Sequence, residues 1–328
     1  MKKNKFRNKK LYNRNLDKFY TEKPHRILNS LLLYALPSNE LDSTHYFLFL
    51  RLRKLLTLEI IQSDKVRKIL ISAFKSKRAY QFIKMLEEVE LLELIFPSIY
   101  ALIKVDGGHY HNETVYTHVM GALRALDETD LPWYVKLAAL YHDCGKCKWE
   151  ISDEGKRRFT NHAVTGAKLV ESDLKRLKFS KDVISIVKTL VNYHMSHLND
   201  RNTIHVHSLR RVKTAFDSKN IPFKYFFWIR YADNMGSAVK ETNFMYYWGV
   251  YKRSIKALNP PHVPSVRDLN INGKDLINEF NLSEGKIIGV ILKSLFNLYQ
   301  LGKISNEREV LLEKGKELIN EFAKKHKE

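Results

Sequence analysis

From Ser180 to His194 the apolar residues fall on one helical face: Val183, Ile186, Val187, Leu190 and Val191, with His194 continuing the same stripe. Spacings of three and four suit an amphipathic helix and are wrong for a strand, whose faces alternate with period two. Ser180 is placed to cap this helix, with Asp182 in its first turn. Leu, Ile and Lys recur at similar spacing elsewhere. The 328 residues include only 13 Gly and 8 Pro, and no series of alternating strands or internal repeat interrupts the pattern. The expected fold class is all-α.

A second helix is expected where Asp130 stands as the cap and Leu131 and Pro132 form the first turn. Trp133, Val135, Ala138 and Leu140 follow, and Gly145 is placed to stop the helix after Tyr141-His142-Asp143. The cluster Pro260, Pro261 and Pro264 reads as a linker. The expected organisation is therefore a basic arm and lead-in at 1–42, a helical neck-like segment at 43–105 and a main helical domain at 106–258. A Pro-rich linker at 259–264 and a helical tail at 265–328 complete it, the tail ending in a Lys/Glu helix from about Glu307.

Lys+Arg number 56 against 36 Asp+Glu, a formal charge of +20. Such a charge speaks about partners and not about fold, and polyanions come first. Residues 1–30 hold ten basic and two acidic residues, which suits an arm touching phosphates. Two cysteines, Cys144 and Cys147, cannot build a disulfide framework. Their C-x-x-C has neither a thioredoxin-like surrounding nor a second ligand pair, so it reads as accidental. The N-terminal lysines precede no apolar core of a signal peptide, and no run approaches the roughly 20 apolar residues of a membrane helix. A cytoplasmic protein is expected, with no membrane partner.

His142-Asp143 alone is a weak signal. It gains weight because four helical segments each carry a ligand-type residue on an apolar face. His118 lies with Val115, Ala122 and Leu126, His142 with Val135 and Ala138, His194 on the stripe above, and Asp233 beyond Phe226 and Arg230. A buried carboxylate needs a cation or hydrogen-bond donors. Imidazoles and carboxylates converging from separate helices are how a helical core holds a metal. Such a mixed set suits Mn, Fe, Co, Ni or Zn, and Mg where water completes the sphere. The competing reading is a polar core network with Asp233 paired to Arg230.

His118, His142-Asp143 and Asp233 resemble the H…HD…D signature of the HD phosphohydrolase superfamily. His142-Asp143-Cys144-Gly145-Lys146 is similar to its H-D-x-G-K. Asn161-His162-Ala163-Val164-Thr165-Gly166-Ala167 and Asn192-Tyr193-His194 resemble the extra histidines of members with a second metal. More narrowly, 64–237 resembles the part of bacterial CCA-adding tRNA nucleotidyltransferases that carries their HD domain. Leu94-Ile95-Phe96-Pro97-Ser98, Tyr110-His111-Asn112-Glu113, Ile271–Leu276 and Gly285–Gly289 carry that resemblance. Those enzymes begin with a polymerase head bearing G-G-x-x-R-D and D-x-D. Gly107-Gly108 runs instead into His109-Tyr110-His111, and the first hundred residues contain no D-x-D. CCA addition is therefore not expected, and the chain reads as a free-standing HD-plus-tail unit.

The resemblance implies an HD helical bundle holding one or two divalent ions (Mn, Ni, Co, Fe or Mg). His118, His142, Asp143 and Asp233 would hold the first, and Asp143, His162 and His194 the second. It implies phosphoester hydrolysis with Asp143 at the centre, Lys146 and Arg230 on phosphate or carboxylate oxygens, and His111 as proton donor. The implied substrate is an RNA 3′ end, tRNA above all, through 2′,3′-cyclic phosphodiesterase or phosphatase chemistry. Hydrolysis of small or cyclic nucleotides is one alternative, and a non-catalytic RNA-binding protein is another. Basic patches at Arg210-Arg211-Lys213 and Lys252-Arg253 would suit an RNA backbone, while Tyr225–Trp228 and Tyr246–Trp248 are either core or a base-stacking platform.

Overall fold

The computed structural model describes residues 15–36, 39, 41–106, 114–151, 157–196, 199–200, 203–204, 206–237, 244–258, 265–283, 285–300 and 303–325. It is a helical protein, and its only sheets among those residues are two antiparallel two-stranded hairpins, β1–β2 (Glu150–Ile151 with Arg157–Arg158) and β3–β4 (Asn199–Asp200 with Thr203–Ile204). The chain divides into two compact units, residues 1–195 with 216–247, and residues 196–215 with 248–328.

The first unit opens with α1 (Arg26–Tyr34), α2 (Ser43–Leu52), α3 (Asp64–Lys75) and α4 (Ala79–Glu88). The bundle that follows is α5 (Val115–Asp127), α6 (Trp133–Tyr141), α7 (His162–Arg176), α8 (Lys181–Tyr193) and, after α9 (Val206–Asp217), α10 (Lys224–Gly236). Helix α8 buries Val187, Leu190 and Val191 of the expected stripe, while Val183 and Ile186 are half-buried and Ile184, outside that stripe, is buried; the Ser180 side chain accepts from Val183 N.

Carboxylates far away in sequence close other helix ends. The Asp127 carboxylate accepts from Ala79 N at 3.1 Å and Tyr80 N at 3.0 Å, satisfying donors that α4 cannot use internally. Asp173 Oδ2 accepts from Ser98 N at 3.2 Å and from Tyr141 Oη at 2.9 Å, which ties α7 to the end of α6. Burial pushes the Asp173 carboxyl up in pKa, against the hydrogen bonds from Tyr141 and Ser98 that favour its ionised form.

Two sequence expectations are corrected here. Asp130 does not cap α6: the helix begins at Trp133 behind Pro132, and Asp130 pairs with Lys77 at 2.9 Å instead. Nor does Gly145 end α6, which stops at Tyr141 and leaves His142 as its C-cap. Gly145 lies in a separate 3₁₀ turn, Cys144–Cys147. Its lack of a side chain matters for packing, because a Cβ there would sit 2.0 Å from His162 O and 2.6 Å from Gly166 N. The turn can therefore lie directly against the start of α7. A similar close approach joins α10 to α5, where a Cβ on Gly236 would meet His118 O at 2.5 Å.

In the second unit, α12 (Gly273–Phe280), α13 (Lys286–Gln300) and α14 (Arg308–Lys325) enclose a core of Leu276, Ile288, Ile291, Leu295, Tyr299 and Leu311. Asn272 and Asp275 form a capping box on α12, and Arg308 reaches Asp275 at 2.8 Å. Helix α11 (Phe244–Leu258) precedes residues 259–264, the expected linker, which lie outside the described residues. No helix among the described residues is long and apolar enough to cross a membrane.

Candidate metal centre

The close approaches of Gly145 and Gly236 bring four segments to one point. His118 comes from α5, His142 from the C-cap of α6, Asp143 from the residue after it, and Asp233 from α10. His118 Nε2 lies 3.0 Å from His142 Nε2, 3.5 Å from Asp143 Oδ2 and 3.3 Å from Asp233 Oδ1. His142 Nε2 lies 3.5 Å from both carboxylate oxygens. Ligand atoms bound at about 2.0–2.2 Å to one tetrahedral or octahedral ion stand about 2.8–3.6 Å from their neighbours. The observed separations have that spacing.

A second cluster adjoins the first. Asp143 Oδ1 lies 3.3 Å from His162 Nε2 and 3.4 Å from His194 Nε2, and these two nitrogens are 3.4 Å apart. Asp143 thus turns one oxygen to each cluster, and its Oδ1 is buried with no hydrogen-bond donor of its own.

The ring orientations repeat one device. His142 Nδ1 meets Ala139 O at 2.8 Å, His162 Nδ1 meets Phe159 O at 2.9 Å, and His194 Nδ1 meets Val191 O at 2.7 Å. A carbonyl only accepts, so each Nδ1 carries a hydrogen, and Nε2 is the atom each ring turns to the site as a possible ligand. Between His162 and His194 the two Nε2 atoms therefore face each other beside a carboxylate, an arrangement that a cation resolves. This chemistry is the fit of the residues to metal.

Charge states agree with it. Burial alone would push the Asp143 carboxyl up, yet His142, Lys146 and His162 hold it well below the carboxylate range. Burial likewise opposes ionisation of Asp233, and His118 and His142 outweigh it. Burial lowers the pKa of His194, keeping it neutral. For His142 burial also acts downward, but with no ion between them Asp143 and Asp233 pull it up to about 10, so a proton there competes with metal.

Lys146 Nζ stands 2.6 Å from Asp143 Oδ2. Arg230 Nη1 donates to His194 O at 3.0 Å and to Asp233 Oδ2 at 3.3 Å, which makes it an orienting group for a ligand. His111 lies outside the described residues. Tyr225, Phe226 and Phe227 are buried core and Trp228 stacks on Phe244 at 4.4 Å, so this run is no platform. Arg210 of the basic patch donates to Gln300 O within the second unit. Cys144 is buried, with its Sγ at 3.5 Å from Gly166 O, in keeping with a packing role.

Residues 115–215 match the HD domain family. This segment of the chain is similar to HD domains. Residues 250–314 also match a family described as putative tRNA nucleotidyltransferase domain 2. The chain is similar to the CC-adding tRNA nucleotidyltransferase of Thermus thermophilus, at 28% identity over 251 residues, 75% of this chain and 55% of the relative. The A-adding tRNA nucleotidyltransferase of Deinococcus radiodurans is 26% identical over 258 residues, 75% of this chain and 56% of the relative. The Multifunctional CCA protein of Legionella pneumophila (strain Paris) is 30% identical over 126 residues, 38% of this chain and 30% of the relative. The chain spans about half the length of the first two relatives. The resemblance read from the HD signature and the tail motifs holds on both counts, in the bundle and in the tail.

Proposed function

We propose that this protein is a metal-dependent phosphohydrolase acting on RNA 3′ ends, as a 2′,3′-cyclic phosphodiesterase or phosphatase, with tRNA or its fragments as substrate. The observation that carries this reading is the Asp143 carboxylate, divided between two histidine clusters. His118, His142, Asp143 and Asp233 would hold one divalent ion, and Asp143, His162 and His194 a second. Such ions supply Lewis-acid stabilisation of a phosphoryl oxygen and bring the pKa of water toward about 7.

The chain's own groups have separate tasks in this reading. Asp143 and Asp233 stay ionised, and the histidines keep their Nε2 lone pairs inward. Lys146 balances the charge of Asp143 and is within reach of a phosphate oxygen. Arg230 fixes Asp233 by its hydrogen bond. His111 is the proposed proton donor to the leaving oxygen. We take residues 106–258 as the hydrolase domain, behind the arm at 1–42 and the neck at 43–105 and ahead of the 259–264 linker and the 265–328 tail. The charge of +20 favours a polyanion over a mononucleotide. The names of the relatives point to tRNA.

The test is hydrolysis of a tRNA fragment ending in a 2′,3′-cyclic phosphate, with Mn, Ni, Co and Mg in turn, beside Asp143→Ala. Metal-dependent opening of the ring that disappears in the variant is the expected result. No turnover with any of the metals, while the same fragment binds in a salt-dependent way, would overturn the enzymatic reading in favour of a binding protein.

A further inference from the structure

Helices α5 and α10 cross backbone to backbone. A Cβ on Gly121 would lie 3.0 Å from Gly236 Cα and 3.3 Å from Gly236 O. The side chains missing from this crossing leave a depression of about 270 Å³ with both glycines in its lining. Met120 and Met235 line it as well, and Tyr80 on α4 supplies an aromatic wall. That wall is fixed in place, because the Asp127 carboxylate at the end of α5 accepts from Ala79 N and Tyr80 N in the first turn of α4.

Thr117 and Arg124, both exposed, complete the lining, and no acidic side chain takes part in it. The Arg124 guanidinium lies 5.5 Å from the centroid of the Tyr80 ring and pairs with no carboxylate among the described residues. Such a guanidinium keeps its fork of donors for an anion, and phosphate fits it bidentately. A Tyr ring and two thioethers around one space favour a planar aromatic ring between them. Gly236 ends α10, and the last carbonyls of a helix have no intrahelical partner, so its oxygen suits the N–H groups of a base. The negative end of the same helix disfavours an anion, which puts a phosphate at Arg124 and a base at Gly236. From Thr117 to Arg124 is about 10 Å along α5 at 1.5 Å per residue. The volume is just under the roughly 300 Å³ at which pockets for larger ligands begin, so it holds one nucleotide unit and not two. None of the lining residues is a candidate metal ligand.

We propose that this depression is a nucleotide-binding site in its own right, taking one nucleobase with one phosphate. Its occupant is either a free nucleoside monophosphate or a single nucleotide of an RNA strand. The base lies against Tyr80 and the Met235 thioether, with Gly236 O and the Thr117 hydroxyl at its edge, and Arg124 holds the phosphate. The site stands whether or not the metal centre hydrolyses RNA.

The experiment is calorimetric titration of the full chain in chelator with AMP, beside adenosine and ribose 5-phosphate. AMP should saturate one site and bind more tightly than either fragment. Arg124→Ala should weaken AMP about 10- to 100-fold, the range for loss of a charge-assisted hydrogen bond, and leave adenosine as in the parent. Met235→Trp, at a position 41% exposed, should fill the depression and abolish binding of both, with the melting temperature unchanged. Lys146→Ala, beside Asp143, should leave AMP affinity as it is. Competition by a single-stranded oligoadenylate separates the two sources: displacement of AMP assigns the site to a nucleotide of the strand, and its absence assigns it to the free mononucleotide.

A lack of saturable binding by both AMP and the oligoadenylate overturns the proposal. So does an affinity that Arg124→Ala and Met235→Trp leave unchanged, or ribose 5-phosphate binding as tightly as AMP. Loss of AMP binding in Lys146→Ala, with Arg124→Ala unaffected, would place the phosphate at the metal centre and equally remove this site.

Discussion

His162 and His194 face each other with Nε2 atoms 3.4 Å apart, and each has its Nδ1 hydrogen committed to a backbone carbonyl three residues earlier. With the Nδ1 hydrogens committed, the two Nε2 atoms and Asp143 Oδ1 form a group that could hold a cation. His194→Ala should lower metal content by one ion per chain and leave the cluster of His118, His142, Asp143 and Asp233 loaded, whereas Asp143→Ala should reduce both. Elemental analysis after dialysis without chelator reads the difference. An unchanged ion count in His194→Ala would show that no ion sits at the second cluster.

Gly145 sets the distance between the turn that carries Asp143 and the helix that carries His162. With a Cβ 2.0 Å from His162 O, Gly145→Ala cannot be accommodated by a side-chain shift, because the obstacle is backbone. The expected cost is about 1–3 kcal/mol or more, as for other overpacked cores. Denaturant unfolding in chelator measures it, and retention of full stability would place the turn further from α7 than described.

In the proposed centre Arg230 would act on a bound metal through its hydrogen bond to Asp233. Arg230→Met removes its hydrogen bonds to His194 O and Asp233 Oδ2 while keeping much of its apolar bulk. Loss of a ligand's orienting partner lowers metal affinity about 10- to 100-fold. Competition against a chromogenic chelator tests this, and an affinity equal to that of the parent would reassign Arg230 to another role.

Glu171 on α7 bonds to Lys175 at 2.6 Å and also to Lys188 on α8, and these partners draw its pKa down to about 2 from 4.5. A depressed carboxylate stabilises the fold above its unfolded pKa and loses that contribution as pH falls through the folded value. The difference in unfolding midpoint between the parent and Glu171→Gln should hold above pH 4.5 and shrink toward pH 2. Its size will be small because the pair is open to solvent. A difference that grows on acidification would contradict the assignment.

Among the candidate ligands, His118, His142, His194 and Asp233 are legible because each continues an apolar helical stripe, where a polar group is conspicuous, whereas His162 is reached only through the family resemblance. Ser180 as a cap was legible for a related reason, since its partner Val183 is three residues away. What lay beyond reach depends on partners distant in sequence. Asp130 has the chemistry of a cap, yet Lys77 takes it. Asp127 and Asp173 cap helices 48 and 75 residues away, which no local pattern encodes. Gly145 looked like a helix terminator because its reason for being glycine, the His162 carbonyl, is visible only in three dimensions. The division of Asp143 between two clusters belongs to the same class: the residue could be named, but not the direction of each oxygen.

That division has a consequence for how the centre fills. One carboxylate plane serves both clusters, so binding of an ion at either would fix the rotation of Asp143 and leave its second oxygen aimed at the other cluster. The ordering entropy is met once, and the second ion meets a prepared ligand. Mutual repulsion of two cations opposes this, and the shared negative charge between them offsets part of it. Occupancy of the pair would therefore be a joint property, with cooperativity set by a single side-chain torsion, and a substitution at Asp143 would retune both clusters together.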